Sequence, residues 1–180
     1  MKKKILIFNV NWLGDVLFST AAIRNIRYAY PDAFIGCVIP PRCLAVLENN
    51  GYLDEVIVFD EAGRHKGLIG LVRFTAYLRG FGFDTVFLLH RSATRALICL
   101  LAGIRQRIGY ATAKRGWLLT RKIAPPSMDD MHRIDYYLTV IKQAGLPVVD
   151  RHTDFFVTDA DMQAADRFLG EQSAVDEGYI

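Results

Sequence analysis

The fold is decided by residues 5–30, which read ILIFNVNWLGDVLFSTAAIRNIRYAY. Ile5–Phe8 is a continuous apolar run, which predicts a strand buried on both faces, as in a parallel sheet. Residues 9–15 contain the polar and glycine residues of a turn. From Val16 to Tyr30, apolar side chains recur at spacings of three and four, which indicates one face of a helix. The stretch therefore predicts a strand, a turn and a helix, the first unit of an alternating α/β fold.

The rest of the chain continues this alternation. Strands are predicted at residues 34–39, 56–59, 86–89 and 107–110, and helices at 44–48, 68–78, 92–102, 134–141 and 159–169. Residues 117–123 fit neither pattern clearly, and Ser127 with Asp130 resembles a capping box before the helix at 134–141. The order predicts an α/β fold in which a parallel sheet with right-handed crossovers is flanked by helices.

Length and composition exclude several classes of protein. The 180 residues suit one ordinary domain, or one domain and a small piece of another. With 52% hydrophobic residues and a net charge of +3, the chain is neither disordered nor collagen-like. The longest strongly apolar run has eight residues, whereas a membrane span needs about 20. The apolar start is also too short for a signal peptide, so we expect a soluble, cytoplasmic protein.

No metal site is predicted. Cys37, Cys43 and Cys99 form no CxxC pair, so we expect free thiols in a reducing compartment rather than disulfides or a zinc site. His132 and Asp135 stand three apart on one helix face. They fit either a surface pair or two metal ligands, but no convincing third and fourth ligands lie nearby in the sequence.

Charge is segregated along the chain. Residues 85–128 contain eight Lys or Arg and no acid, whereas residues 150–180 contain eight acids and two basic residues. The basic stretch fits either an ordinary solvated surface or a wall that faces an anion such as phosphate or an acidic sugar. The net charge is modest and no helix carries a basic stripe interleaved with aromatic residues, so nucleic acid is not an expected partner.

The turn at Asn11–Asp15 is the first candidate site, because sites in open α/β sheets gather at the carboxyl ends of strands. Gly14 would let a ligand approach the backbone closely. Asp15 fits either a ligand-facing acid or a cap or first-turn acid of the following helix. The chain has neither the GxGxxG dinucleotide fingerprint nor a P-loop.

Two further groups follow predicted strands. His90 comes just after the strand at 86–89, so we expect it to line the same cleft as Asp15. Arg64 and Lys66 lie in the loop after the strand at 56–59, where a phosphate clamp and a flexible surface loop are both plausible interpretations.

Six blocks of sequence, in this order along most of the chain, resemble the bacterial lipopolysaccharide heptosyltransferases, glycosyltransferase family 9. The blocks are residues 5–26, 29–33, 101–104, 107–110, 115–120 and 132–135. The resemblance implies the Rossmann-like N-terminal domain of a GT-B enzyme. It divides the chain into an acceptor-binding domain, 1–158, and an interdomain helix with the start of a C-terminal nucleotide-sugar domain, 159–180. Residues 178–180 look like the beginning of a strand of that second domain.

The resemblance also implies the chemistry. The donor would be ADP-heptose, bound by the missing C-terminal domain, and the acceptor the lipopolysaccharide inner core. No cofactor or metal is implied, transient contact with the inner-membrane surface is expected, and this chain alone would be inactive. Asp15 is implied as the general base. The expected acceptor contacts are Asn11, Gly14, Arg64, Lys66, His90 and Arg115.

Two alternatives stay open. The chain could be a non-catalytic α/β module that binds a small anion, or a family 9 transferase that uses another nucleotide sugar.

Overall fold

A computed structural model describes residues 2–126 and 131–173. Six parallel strands form one sheet in the order β3-β2-β1-β4-β5-β6. The strands are β1 Lys4–Phe8, β2 Phe34–Ile39, β3 Glu55–Val58, β4 Thr85–Leu88, β5 Gln106–Tyr110 and β6 Arg121–Ile123. The helices are α1 Leu13–Ala29, α2 Leu44–Leu47, α3 Gly67–Phe81, α4 Ala93–Leu101, α5 Arg133–Gln143 and α6 Asp159–Ser173.

Helices cover both faces of the sheet. Side chains alternate along β1, so Ile5 and Ile7 join a core with α1 and α5, while Leu6 and Phe8 join a second core with α3 and α4. Both cores are apolar because the strands of a parallel sheet are covered on both sides. The predicted parallel sheet flanked by helices is therefore confirmed.

The order of the strands creates a crevice at the carboxyl edge of the sheet. From β1 the chain crosses to β2 on one side, whereas from β3 it returns past β1 to β4 on the other. Ligands of open α/β sheets bind where the direction of winding reverses in this way. The loops after β1 and β4 flank this position, so residues 9–12 and 89–92 lie side by side.

Most predicted elements are present within a few residues of their expected ends. The ambiguous residues 117–123 contain a 3₁₀ turn, Gly116–Leu118, followed by the short edge strand β6. The proposed capping box, Ser127 with Asp130, lies outside the described residues, as does the expected strand start at 178–180. His132 is the N-cap of α5, and its ring accepts the backbone N–H of Ile134.

The three cysteines are free, as expected, and all three are buried. Burial raises the pKa of the Cys37 thiol to about 12 and that of Cys99 further. Among residues 2–126 and 131–173, no helix is long and apolar enough to cross a bilayer. Helix α6 starts at Asp159, and the division into domains at that residue stays a prediction.

Candidate functional site

The buried side chain of Asn9 shapes the turn after β1. Its amide nitrogen donates to Ser19 Oγ of α1 at 2.8 Å, and its carbonyl oxygen accepts the N–H of Val10 at 2.8 Å. The backbone N–H of Asn9 donates to the carbonyl of Val38, and that of Leu89 donates to the carbonyl of Phe8. The loops after β1 and β4 are thus fixed to the sheet where they leave it.

The two loops and the start of α5 surround an open cavity of about 240 Å³. Its lining comes from Val10, Asn11, Trp12, Asp15, Leu89, His90, Arg91, Arg133, Tyr136 and Tyr137. The predicted neighbourhood of Asp15 and His90 is confirmed, because both line this cavity. The contribution of α5 was not predicted.

Asp15 is in the first turn of α1, and its carboxylate is held from α5. The phenol of Tyr137 donates to Asp15 Oδ1 at 3.0 Å, and Arg133 Nε lies 3.8 Å from the same oxygen. The N-cap position is Trp12, whose side chain makes no capping bond, so a cap role for Asp15 is wrong, whereas its placement as a first-turn acid is confirmed. The carboxylate is about a quarter exposed, at 24%. It therefore combines a fixed position with access from the cavity.

Tyr137 remains a hydrogen-bond donor over the physiological pH range. Burial raises the pKa of its phenol, and the charge and hydrogen bond of Asp15 raise it further. A protonated phenol can donate to Asp15 and cannot compete with it for a proton. Tyr137 thus orients one carboxylate oxygen of Asp15.

Asn11 lines the cavity, whereas Gly14 is exposed in the first turn of α1 and is not part of the lining. Asn11 Oδ1 is buried and has no hydrogen-bond partner among the described residues, although buried polar atoms are nearly always paired. A Cβ added to Gly14 would meet no atom within 4 Å, so packing within the described protein does not require glycine there. Their predicted contact with an acceptor stays a prediction.

His90 is a neutral imidazole in the same cavity. Its Nδ1 accepts the backbone N–H of Ser92 at 3.0 Å. Burial lowers the pKa of His90 to about 4, and the nearby cations Arg95 and Arg115 act in the same direction. At neutral pH the ring can therefore accept or share a hydrogen bond without carrying charge.

The low pKa of His90 predicts a loss of stability in mild acid. Between the ordinary pKa of 6.5 and the folded value of about 4, the unfolded chain binds more protons, so stability falls as the pH drops through this range. His90→Gln should make the unfolding free energy less dependent on pH there. Denaturant titrations at several pH values measure this difference. His152→Gln, which changes an exposed histidine, is the control, and an equal flattening in both variants would contradict the assignment.

Arg115 is not part of an exposed basic wall. It is fully buried, its Nε donates to the carbonyl of Tyr110 at 2.7 Å, and one terminal nitrogen donates to the carbonyl of His90. Burial lowers the pKa of its guanidinium to about 10. The expected surface contact is corrected because the chain folds back after β5 and turns this side chain inward. Arg115 supports the loop that carries His90.

Arg64 and Lys66 lie in an exposed turn after β3 and do not line the cavity. The turn is organised by the Asp60 carboxylate, which accepts the N–H groups of Gly63 and Arg64. These hydrogen bonds lower the pKa of Asp60. A contact of either cation with a larger ligand stays a prediction.

Cations other than the expected Arg64, Lys66 and Arg115 lie at or near the cavity. Arg133 lies at the cavity beside Asp15, and Arg42 donates to the carbonyl of Asn11 at 2.9 Å, with its guanidinium 5.3 Å from the Trp12 ring centre. Arg95 is buried and pairs with Glu61 at 2.6 Å. Arg133 belongs to the block at 132–135, so the family resemblance contained a signal for it. Nothing in the sequence pattern indicated Arg42.

His132 and Asp135 do not act as a pair. His132 caps α5 and lies edge-on to the ring of Phe18, whereas Asp135 forms an ion pair with Arg151 at 2.6 Å. They do not form the surface pair that was one interpretation of the sequence, because each side chain has a different partner.

The cavity therefore contains an accessible carboxylate, a neutral imidazole and a guanidinium. Such an arrangement can accept a proton from a bound hydroxyl at Asp15 while Arg133 offers positive charge to an anionic ligand. A base within reach of a bound hydroxyl is the part that is needed to activate an alcohol as a nucleophile.

Comparisons with known proteins show what the whole chain is similar to. The chain is 31% identical over 117 residues to lipopolysaccharide heptosyltransferase 2 of Escherichia coli and of Salmonella typhimurium, which covers 64% of this chain and 33% of each relative. No family model matches the chain. A glycosyl transferase family 9 structure from Veillonella parvula superimposes with a TM-score of 0.87 at 23% identity, covering 96% of this chain and 51% of that one. The structure of Escherichia coli ADP-heptose LPS heptosyltransferase II gives 0.69 at 24%, covering 93% and 50%.

The fold is that of the Rossmann-like N-terminal domain of a GT-B glycosyltransferase. The resemblance stated from the sequence is confirmed: over 117 residues the chain is homologous to lipopolysaccharide heptosyltransferase 2, and its fold is that of a solved glycosyl transferase family 9 protein. It spans about half the length of the solved relatives, and its aligned residues span about a third of the curated ones.

Proposed function

We propose that this chain is the acceptor-binding part of a cytoplasmic heptosyltransferase that transfers heptose from ADP-heptose to the lipopolysaccharide inner core. The observation that carries the proposal is the Asp15 carboxylate, which opens into the cavity while Tyr137 holds it at 3.0 Å. A base for this reaction must reach one acceptor hydroxyl and remain in place. The homology to heptosyltransferase 2 supports the sugar and the acceptor class.

In the proposed reaction, Asp15 takes the proton of the acceptor hydroxyl as its oxygen attacks the anomeric carbon of the donor sugar. The bond from that carbon to the ADP oxygen breaks, and ADP leaves with the bonding electrons. Arg133 would contact an acidic group of the acceptor, and the free oxygen of Asn11 would accept a hydrogen bond from one of its hydroxyls. Arg64 and Lys66 would reach only the more distant parts of a large acceptor.

The donor would be held by a second domain. This chain has no P-loop or dinucleotide fingerprint, and its solved relatives are about twice as long. A family 9 transferase that uses another nucleotide sugar would need the same base in the same place, so the choice of donor depends on that domain. A non-catalytic module that binds a small anion would not need a carboxylate fixed beside its cations.

Calorimetry on the 180-residue chain tests this division of roles. A deacylated inner-core oligosaccharide that carries its phosphates should bind, whereas ADP-heptose should give no heat of binding. A micromolar dissociation constant for ADP-heptose would contradict the assignment of this part to the acceptor. Binding of inorganic phosphate with equal affinity to the oligosaccharide would favour the anion-binding module.

Acceptor binding should weaken as salt rises, because exposed charges are screened over about 8 Å at physiological ionic strength. The expected cation is Arg133, so Arg133→Gln should reduce both the affinity and its dependence on salt. Arg121→Gln, which changes an exposed arginine of β6, serves as the control. An affinity that is constant from low to high salt would show that the cavity does not recognise charge.

A further inference from the structure

Helix α3 is apolar on the side that faces away from the protein. Its inner face is buried through Gly70, Phe74 and Leu78. On the opposite side, Leu68, Ile69 and Val72 are 78%, 71% and 60% exposed. Amphipathic surface helices place polar residues in such positions, and a helix that is apolar all round normally has something covering each face. No described residue covers this side of α3.

The neighbouring helix extends the same surface. Helices α3 and α4 pack side by side on one face of the sheet, and Leu97 and Leu101 of α4 are 39% and 58% exposed. We call the outward side chains Leu68, Ile69, Val72, Leu97 and Leu101 the outer apolar surface. An exposed group of large aliphatic side chains of this kind marks a surface that binds a partner.

The charge around the outer apolar surface is mainly positive. The acids just before α3 are engaged, because Asp60 accepts backbone N–H groups of its turn and Glu61 pairs with Arg95. Residues 62–83 contain four Lys or Arg and no acid, and Arg73 and Arg79 are exposed on α3 itself. The single acid between residues 62 and 126 is Asp84, at the amino end of β4, where it accepts the N–H of Lys4. The partner that fits therefore has an apolar interior and an anionic surface.

We propose that the outer apolar surface docks on the surface of an anionic lipid bilayer. Leu68, Ile69 and Val72 would enter the boundary between headgroups and acyl chains, and Arg73 and Arg79 would extend their charged ends to lipid phosphates. A second copy of the chain fits less well, because pairing the same faces would bring these arginines together. Docking of this kind would leave the protein on the membrane surface rather than across it.

The outer apolar surface also has a definite orientation relative to the cavity. Helix α3 begins after the carboxyl end of β3, so Leu68 and Ile69 in its first turn lie towards the edge of the sheet where the cavity opens. Docking there would bring the cavity close to the headgroup layer. The link between docking and the cavity rests on the proposed function, in which a lipid-anchored acceptor would reach the cavity from the headgroup layer. The docking itself does not depend on it.

Co-sedimentation with vesicles tests the proposal without any substrate. We compare vesicles of phosphatidylglycerol mixed with phosphatidylcholine against vesicles of phosphatidylcholine alone, using the 180-residue chain. The chain should sediment with the anionic vesicles, and less as salt rises. Leu68→Gln/Ile69→Gln/Val72→Gln, which keeps good helix formers in α3, should lower the partition coefficient at least about tenfold. Arg73→Gln/Arg79→Gln should also lower it about tenfold.

The matched control removes the same number of exposed apolar side chains elsewhere. Val149→Gln/Phe155→Gln/Val157→Gln should sediment like the parent, and thermal melting checks that every variant is folded. Equal binding of the parent to both vesicle types, or to neither, would overturn the proposal. So would a control variant that loses as much binding as the α3 variant. If sedimentation equilibrium instead shows a dimer that the α3 changes dissociate, the surface is a self-interface and the proposal is wrong. Failure of acceptor binding in calorimetry would affect only the proposed function.

Discussion

Asp15→Asn in the complete protein is expected to reduce turnover about 10²- to 10⁴-fold, because the amide cannot accept the proton of the acceptor hydroxyl. Tyr137 can still donate to the amide oxygen, so the side chain should keep its position. Loss of the negative charge in the first turn of α1 should cost about 0.3–1 kcal/mol of stability. We therefore expect a variant that melts close to the parent, binds acceptor and barely reacts.

Steady-state kinetics and calorimetry on the same preparation separate these effects. Asp32→Asn, an exposed carboxylate at the other end of α1, is the matched control and should leave turnover unchanged. Near-parental turnover in Asp15→Asn would remove Asp15 from the mechanism. His90, which lines the same cavity as a neutral imidazole, would then be the next candidate for the base.

Arg115→Met should destabilise the protein by about 2–4 kcal/mol, since it leaves one buried and one partly buried carbonyl group without their charged donor. Those carbonyls belong to Tyr110 and His90, at the end of β5 and in the loop after β4. Methionine fills much of the same volume, so the loss comes from the hydrogen bonds rather than from a cavity. Acceptor binding should weaken as well, through displacement of the His90 loop.

Denaturant unfolding measures this loss directly. Lys114→Met, an exposed neighbour in the same turn, is the control and should change stability by less than about 0.5 kcal/mol. A stable Arg115→Met variant that had lost acceptor affinity would show instead that Arg115 contacts the acceptor, as the sequence suggested. The experiment thus distinguishes a supporting cation from a binding one.

The sheet could be predicted because its signals are local. The apolar run at 5–8 and the helical spacing after Val16 each extend over several residues, so both elements of the first unit were identified. The short strand β6 was missed because it has three residues, of which only Ile123 is buried. A pattern with a period of two cannot be recognised over so short a stretch.

The candidate site was only half predictable. Asn11, Asp15 and His90 follow strands, and the rule that sites gather at the carboxyl edge was enough to place all three at one cavity. The bond between Tyr137 and Asp15 joins residues 122 positions apart, and no local pattern reveals it. Arg115 shows the opposite error, since a basic side chain in a basic stretch was taken as exposed but is buried among backbone carbonyls.

The most direct test of the central claim is acceptor-dependent release of ADP from ADP-heptose by the complete protein. We predict release when an inner-core acceptor is supplied, none without it, and a loss of about 10²-fold or more in Asp15→Asn. No release with any inner-core acceptor, from protein that binds both substrates in calorimetry, would contradict the account. It would leave the chain as a module that binds anions without catalysing transfer.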